Sequence, residues 1–330
     1  MLLSVVSILV PIVLLLALGA WLRRIGFLDE AFASRLLRLV FYTALPCKLV
    51  GSISRAQSLG GVGAATLALC GVTAAACLVA AGVASLGGIK RDSIPSFCQT
   101  SVRGNAAYVG IPVLALATEG TALEGDAMRV AALTLAFYSV FCNVGAVLLL
   151  APCRSANDAA GATRSNACAA ARIPAILREI AANPLIVGSL VGLALLAIRK
   201  SCGVAMPGEL AKTLSILGAM ATPGALLSLG ASLTPEKLRA SLRPAALAVA
   251  VKLALCPLLG AAACAALALP PAHRLVVLAF LACPCSTASY IMDKAMGGDA
   301  QLSGSAVVLS TALCAIPAAI VVAAELSRGM

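Results

Sequence analysis

Charge is scarce in this chain of 330 residues: only 11% of them are charged, and 13 are Asp or Glu. A soluble domain carries about 25% charged residues, which cover its surface. Hydrophobic residues instead make up 61% of the chain, and the mean hydropathy is +1.03. The chain therefore has too little polar surface for a water-soluble fold of this size, and we expect lipid to surround much of it.

Aromatic residues (4%) and histidine (His273 alone) are also scarce. The net charge of +11 comes without interleaved aromatic side chains, so no nucleic-acid partner is predicted. Most of the 13 cysteines lie in apolar runs and no CxxC motif occurs, so neither a metal site nor a cofactor is predicted. The sequence has no nucleophile–base pattern or phosphate-binding loop, so an enzyme is not predicted either.

Apolar runs of about 20 residues, the length that crosses a bilayer, predict an all-α membrane protein with ten transmembrane helices. The runs cover residues 2–22, 31–53, 60–86, 93–117, 129–150, 183–198, 209–229, 240–269, 274–296 and 301–324. They divide the chain into a first five-helix repeat (1–150), a polar and basic connecting loop on the cytoplasmic side (151–182), and a second five-helix repeat (183–330).

The order of apolar and basic residues predicts the orientation. The first run precedes Arg23 and Arg24, whereas a cleavable signal peptide has its positive charge first, so we expect this run to be retained. With both termini outside, about twice as many Lys and Arg residues fall at cytoplasmic ends as at outer ends, as the positive-inside rule requires. We therefore predict a multi-pass protein of the cell membrane, plasma or inner, with the lipid bilayer as its partner.

Prolines interrupt the two halves at corresponding places. Pro46 and Pro223 lie in the second and seventh runs, and Pro112 and Pro284 lie in the fourth and ninth. Five spans per half is an odd number, so the second half is predicted to be inverted, and each half is predicted to end in an unbroken helix. Interrupted segments in matching halves are typical of a transporter binding site. Coincidence is the alternative, because proline is common in transmembrane helices.

The fourth run is the most polar and holds Arg103 and Asn105. An arginine at the centre of a membrane helix costs about 2.5–3.5 kcal/mol, so these side chains must face protein or water. Gly110 and Pro112 weaken the helix, and the proline ring clashes with the carbonyl of Tyr108. We predict a break that lines a wet cavity; a kinked helix packed through small residues is the alternative.

The ninth run contains Pro284 followed by Ser286. If this run crosses the fourth, the start of each second half-helix directs its positive dipole end towards the crossing, which favours an anion there. Alternatively, the hydroxyl groups only serve carbonyls that the proline leaves free.

Three further residues are weaker candidates for the site. Lys252 lies deep in the eighth run, but its long side chain could equally reach the cytoplasmic surface. Tyr138 and Asn143 add polar groups to the fifth run, although hydrogen bonds between helices would explain them without a ligand.

Two other charged residues in the runs receive structural interpretations. Lys48 is expected to extend to the outer surface, and Asp293 to pair with its neighbour Lys294 at the inner face. Three bases against a single acid within the runs favour an anionic substrate, because cation pumps usually need buried carboxylates.

Six segments, in this order along the chain, resemble the auxin efflux carrier family. They are LLALGAWLRRIGFLDE, RGNAAYVGIP, NPLIVGSLVGL, TPGALLSLGASL, VKLALCPLL and ACPCSTASYIMDKAMGGDAQLSGSAVVLSTALCAIP. The resemblance implies ten spans in two inverted five-helix repeats, with broken, crossing fourth and ninth helices. It also implies a scaffold of spans one, two, six and seven, often dimeric, and a transport part built from the others. Relatives carry auxin in plants and malate or malonate in bacteria, and the short connecting loop resembles the bacterial permeases.

We therefore expect a secondary transporter that moves a small organic anion, a dicarboxylate or an auxin-like carboxylate, by alternating access. A sodium- or proton-coupled symporter or exchanger of the bile-acid-symporter type is an alternative, and buried carboxylates would distinguish it. A membrane sensor that binds its ligand without moving it is a further alternative.

Overall fold

A computed structural model describes residues 2–55, 63–158, 183–232 and 235–329, and the regular structure in them is helical. The α-helices of the first half are α1 Leu2–Arg24, α2 Glu30–Leu39, α3 Leu45–Ser54, α4 Gly63–Leu86, α5 Ile94–Val102, α6 Ile111–Thr118 and α7 Glu124–Asp158. Those of the second half are α8 Pro184–Cys202, α9 Gly208–Ala219, α10 Ala221–Ser232, α11 Pro235–Ala240, α12 Leu242–Ala250, α13 Cys256–Ala266, α14 Pro271–Leu281, α15 Thr287–Met296, α16 Ala300–Leu313 and α17 Ala315–Gly329.

Within the described residues, five helical segments are long and apolar enough to cross a membrane, and a sixth is a bent pair. They are Gly63–Leu86, Glu124–Ala151, Pro184–Cys202, Gly208–Ser232, Leu242–Ala266 and the pair Ala300–Leu313 with Ala315–Glu325. Leucines along α4 remain exposed, as expected for a surface that faces lipid. The chain is thus an all-helical, multi-pass membrane protein, and the count of ten spans stays a prediction.

α7 is longer than the sequence predicted, because it begins before residue 129 and continues through residue 158. Glu124 and Asp126 in its first turn interact favourably with the positive end of the helix dipole. The helix therefore includes the start of the predicted loop 151–182. The remainder of that loop, residues 159–182, lies outside the described residues.

Widened π-helical turns precede three of the internal prolines, Pro46, Pro112 and Pro257. A proline ring clashes with the carbonyl four residues earlier, and a turn with i→i−5 hydrogen bonds moves that carbonyl aside. The chain therefore continues as a helix beyond each proline. The turns are Val40–Ala44, Ala106–Gly110 and Val251–Leu255.

The prediction that each half ends in an unbroken helix is wrong for the second half. α16 and α17 meet at Cys314 with a bend of 51°. Pro317 lies three residues beyond the bend and has no N–H to donate to the carbonyl of Leu313. The ladder of helical hydrogen bonds is therefore interrupted at this point.

The helices pack in two groups. In the first group, α1 and α2 pack on α10, and α3 packs on α8 and α9. In the second group, α4 packs on α5, α7, α13 and α14, while α12 and α15 pack on α16. Glycines allow the close approach of α1 and α10, since a Cβ on Gly230 would lie 2.1 Å from the carbonyl oxygen of Leu16.

We predict that Gly230→Ala lowers the free energy of unfolding by about 1–3 kcal/mol, because its new methyl group would force the backbones of α1 and α10 apart. Thermal unfolding of the purified protein in detergent measures the change. Gly82→Ala is the matched control, since a Cβ there meets nothing within 4 Å. Equal unfolding temperatures for the two variants would contradict the prediction.

Candidate functional site

The interrupted fourth and ninth runs cross each other through their backbones. The N–H of Asn105 donates to the carbonyl of Pro284 at 2.8 Å, and the N–H of Ser286 donates to the carbonyl of Arg103 at 3.0 Å. Gly104 and Cys285 form an isolated antiparallel β-bridge between these bonds. The structure thus brings together four residues that the sequence assigned to two separate breaks.

Close packing explains why the residue at the crossing is a glycine, Gly104. A Cβ on Gly104 would lie 2.7 Å from the carbonyl oxygen of Phe280 and 3.0 Å from Lys252 Nζ. Lys252 is fully buried, and its ammonium group donates to the carbonyl of Leu281 at 2.8 Å. The last carbonyls of a helix lack partners within the helix and attract cations. Lys252 therefore completes the end of α14.

Both second half-helices begin at the crossing. The π turn Ala106–Gly110 follows Asn105, whose carbonyl accepts from the N–H of Val109 at 3.0 Å. α15 follows Ser286, whose hydroxyl accepts from the N–H of Ala288 at 3.3 Å. Two positive helix ends consequently lie near the crossing, an arrangement that favours negative charge.

A cavity of about 110 Å³ adjoins the crossing and has room for several water molecules or a small carboxylate. Five of the residues that the sequence predicted for the site line it: Arg103, Asn105, Tyr138, Asn143 and Ser286.

Four other predicted residues, Gly110, Pro112, Pro284 and Lys252, are not among those that line the cavity. Gly110 lets the crossing pack, because a Cβ there would lie 2.9 Å from Cys283 Sγ. Pro112 lies in the first turn of α6.

The guanidinium group of Arg103 has neutral partners. It donates to Asn143 Oδ1 at 2.5 Å and to Met292 Sδ at 3.0 Å. Within the part of the chain that the structure describes, the ion pairs do not include Arg103. Asn143 is buried, and its Nδ2 donor has no acceptor. The guanidinium group of Arg103 and Nδ2 of Asn143 thus lie beside the cavity without a negatively charged acceptor, which a bound anion would supply.

Sequence reasoning missed a second basic residue of the cavity. Lys48 was expected to extend to the outer surface, but its Nζ lies 3.4 Å from the centroid of the Tyr108 ring, and both residues line the cavity. This is a cation–π contact between α3 and the π turn after the crossing. The position of Lys48 two residues after Pro46, at a helix interruption, was the available signal.

The expected pairing of Asp293 with Lys294 is also wrong. The Asp293 side chain is buried and accepts a hydrogen bond from the Ser96 hydroxyl at 2.8 Å, whereas Lys294 is exposed.

Tyr138 lines the cavity, but its hydroxyl already shares a hydrogen bond with Thr73 at 3.1 Å. Its predicted alternative role, a bond between helices, is therefore present.

Apolar spanning helices and a positively charged cavity between interrupted helices are features of membrane transporters as a class. The chain belongs to the membrane transport protein family, which it matches over residues 4–322. This is the auxin efflux carrier family predicted from the motifs, so that prediction is confirmed. The match is to a family of transporters, in agreement with the prediction that the chain is not an enzyme. No protein with a curated description matches the chain.

We predict that Lys252→Met destabilises the fold by about 1.5–3 kcal/mol, because it removes a buried charged hydrogen bond from the carbonyl of Leu281. Thermal unfolding measures the loss. Lys200→Met, at an exposed position in the last turn of α8, is the control and should leave stability unchanged. Full stability of Lys252→Met would show that the bond is dispensable.

Proposed function

We propose that this protein moves a small organic anion across the membrane and that Arg103 binds its carboxylate. The observation that carries the proposal is the guanidinium group of Arg103, which forms no ion pair among the described residues, beside the free Nδ2 donor of Asn143. A carboxylate oxygen would accept from both groups. Charge-assisted hydrogen bonds of this kind are roughly twice as strong as neutral ones.

Other groups around the cavity support an anion. Lys48 supplies a second positive charge from α3, and the two half-helices that begin at the crossing add their dipoles. Leu49, Leu135 and Ile291 give the cavity apolar walls. A dicarboxylate would use both cations, whereas an auxin-like carboxylate would use Arg103 and place its apolar body against the walls.

The position of the cavity supports alternating access. Lys48 belongs to α3 in the first packing group, and Arg103 follows α5 in the second, so the cavity lies where the groups meet. Movement of one group against the other would change the side from which water reaches the anion.

The proposed topology has ten spans in two inverted five-helix repeats, 1–150 and 183–330, with broken, crossing fourth and ninth helices and both termini outside the cell membrane. The backbone pairing at the crossing supports this topology. In a homodimer, α1–α3 and α8–α10 would form the fixed scaffold, and the second packing group would move.

Uptake into proteoliposomes tests the proposed function. The purified chain would be reconstituted and offered labelled malate, malonate and the auxin indole-3-acetate, after a thermal-shift screen of organic acids has identified which of them bind. Protein-free vesicles provide the baseline. Uptake of none of these acids, together with no thermal shift, would remove the proposal.

We predict that Arg103→Ala weakens carboxylate binding roughly 10- to 100-fold, as expected when a hydrogen-bonded charge is lost, and abolishes uptake while the protein stays folded. Arg129→Ala is the matched control, since that side chain is about half exposed and pairs with Asp126 at 2.6 Å. Unchanged uptake by Arg103→Ala would remove Arg103 from the site.

We further predict that Asn143→Asp blocks uptake and raises the unfolding temperature. The new carboxylate would pair with the guanidinium group of Arg103, which lies 2.5 Å from Oδ1 of the native side chain, and would occupy the place of the substrate. Asn143→Ser, which keeps the site neutral, should give no such stabilisation. Full uptake by Asn143→Asp would contradict this arrangement.

A further inference from the structure

A second polar cluster lies away from the cavity, around the carboxyl group of Asp293 in α15. The side chain is fully buried. Its Oδ1 accepts from the Ser96 hydroxyl at 2.8 Å, and the oxygen of that hydroxyl accepts from the N–H of Asp299 at 2.7 Å. The cluster thus joins the first turn of α5 to α15 and to the start of α16.

Hydrogen-bond acceptors exceed donors in this cluster. Gln99 and Ser303 adjoin the carboxyl group, but neither donates to Asp293 Oδ2 with hydrogen-bond geometry. Gln99 donates instead to the carbonyl of Ser289 at 3.1 Å, and its own Oε1 has no donor. Buried acceptors without donors are costly, so a donor is missing from the cluster.

The charges around Asp293 do not compensate an ionised carboxylate. The charged neighbour is Asp299, a second acid, which accepts from the Ser93 hydroxyl at 2.8 Å and from the N–H of Leu302 at 3.0 Å. Lys294 is exposed, and Arg103 lies two helical turns beyond Ser96, directly after the end of α5. Among the described residues the ion pairs do not include Asp293. A buried carboxylate without a cation is expected to be neutralised.

Space at the cluster favours a proton over a metal ion. A Cβ on Gly298 would lie 2.5 Å from Asp293 Oδ1 and 2.6 Å from Ser96 Oγ, so the main chain already closes that side. A proton needs no coordination shell and converts Oδ2 from an acceptor into a donor.

We propose that Asp293 is a proton-binding site whose protonation is coupled to anion binding at Arg103. Ser96 and Gln99 lie on one face of α5, and Arg103 directly follows the last residue of this helix. Met292, adjacent to Asp293, contacts the guanidinium group at 3.0 Å. The coupling, although not the protonation itself, rests on the proposed function.

Electrostatics gives the sign of the coupling. The positive charge of Arg103 favours ionised Asp293, and a bound carboxylate cancels that charge, so anion binding promotes proton uptake from water. Because the two binding equilibria are thermodynamically linked, protonation of Asp293 in turn favours anion binding at Arg103. One proton carried with one monocarboxylate moves no net charge, and both are released on the far side. The protein would then act as a proton–carboxylate symporter.

Infrared spectroscopy tests the proton site without a substrate. We expect the substrate-free protein to gain the carbonyl band of a protonated carboxyl group when the pH is lowered from neutral to mildly acidic, and Asp293→Asn to lose this change. Asp126→Asn is the control and should keep the band, because Asp126 is exposed and pairs with Arg129 outside the cluster. Thermal unfolding checks that the variants fold. If Asp293→Asn does not fold, the infrared spectrum of the wild-type protein alone tests the proposal, and absence of the band overturns it.

Proteoliposomes containing a pH-sensitive dye test the coupling. We expect carboxylate uptake by the wild type and by Asp126→Asn to acidify the lumen and to rise several-fold with an acidic exterior. Asp293→Asn should lose both responses. Wild-type uptake without proton flux, or uptake that requires sodium, would overturn the coupling and leave the proposed function intact. An infrared band without any uptake would instead refute the proposed function and leave the proton site standing.

Discussion

The fold depends on the need to satisfy backbone hydrogen bonds where no water is available. Two helices interrupted at membrane depth would each leave free N–H and C=O groups, and each such group is costly in lipid. Here the two breaks satisfy each other, through the bonds from Asn105 to Pro284 and from Ser286 to Arg103. Two further backbone groups nearby find side chains, since Lys252 donates to the carbonyl of Leu281 and Ser310 Oγ accepts from the N–H of Cys285 at 2.9 Å. The backbone at the crossing therefore does not depend on the free Nδ2 donor of Asn143 in the adjoining cavity.

The hydrogen-bond partners of the buried charged residues distinguish those with a structural role from those proposed to have a function. Lys252 and Arg103 are both bases within apolar runs, and the sequence alone does not distinguish them. In the structure, the ammonium group of Lys252 is bound to a helix end, whereas the guanidinium group of Arg103 has only neutral partners. Asp293 is the acidic counterpart, buried with one oxygen unpartnered. Among the described residues Arg103 has no acidic partner and Asp293 Oδ2 has no donor, and these two observations are the reason to assign them function.

The sequence predicted the helical membrane class and both breaks, because apolar run length and proline chemistry act locally. The family was predicted separately, from the resemblance of six segments. The sequence did not predict that α16 and α17 meet at 51°, although Pro317 was visible, because a proline permits several bend angles and packing selects among them. Lys48 was misplaced for a similar reason. A lysine near the end of a run can reach water or an aromatic ring, and only the tertiary position of Tyr108 decides. Asp293 was assigned to its sequence neighbour, while its partner Ser96 lies 197 positions away in the chain.

The bridge between Gly104 and Cys285 consists of main-chain atoms alone. Its geometry is therefore indifferent to most of the side chains around it, apart from those that would intrude where Gly104 leaves space. The side chains on the cavity wall are therefore separate from the main-chain atoms that form the pairing. A framework of this kind allows the cargo to diverge while the architecture stays the same, so differences in specificity should be sought in the wall residues and not in the bridge.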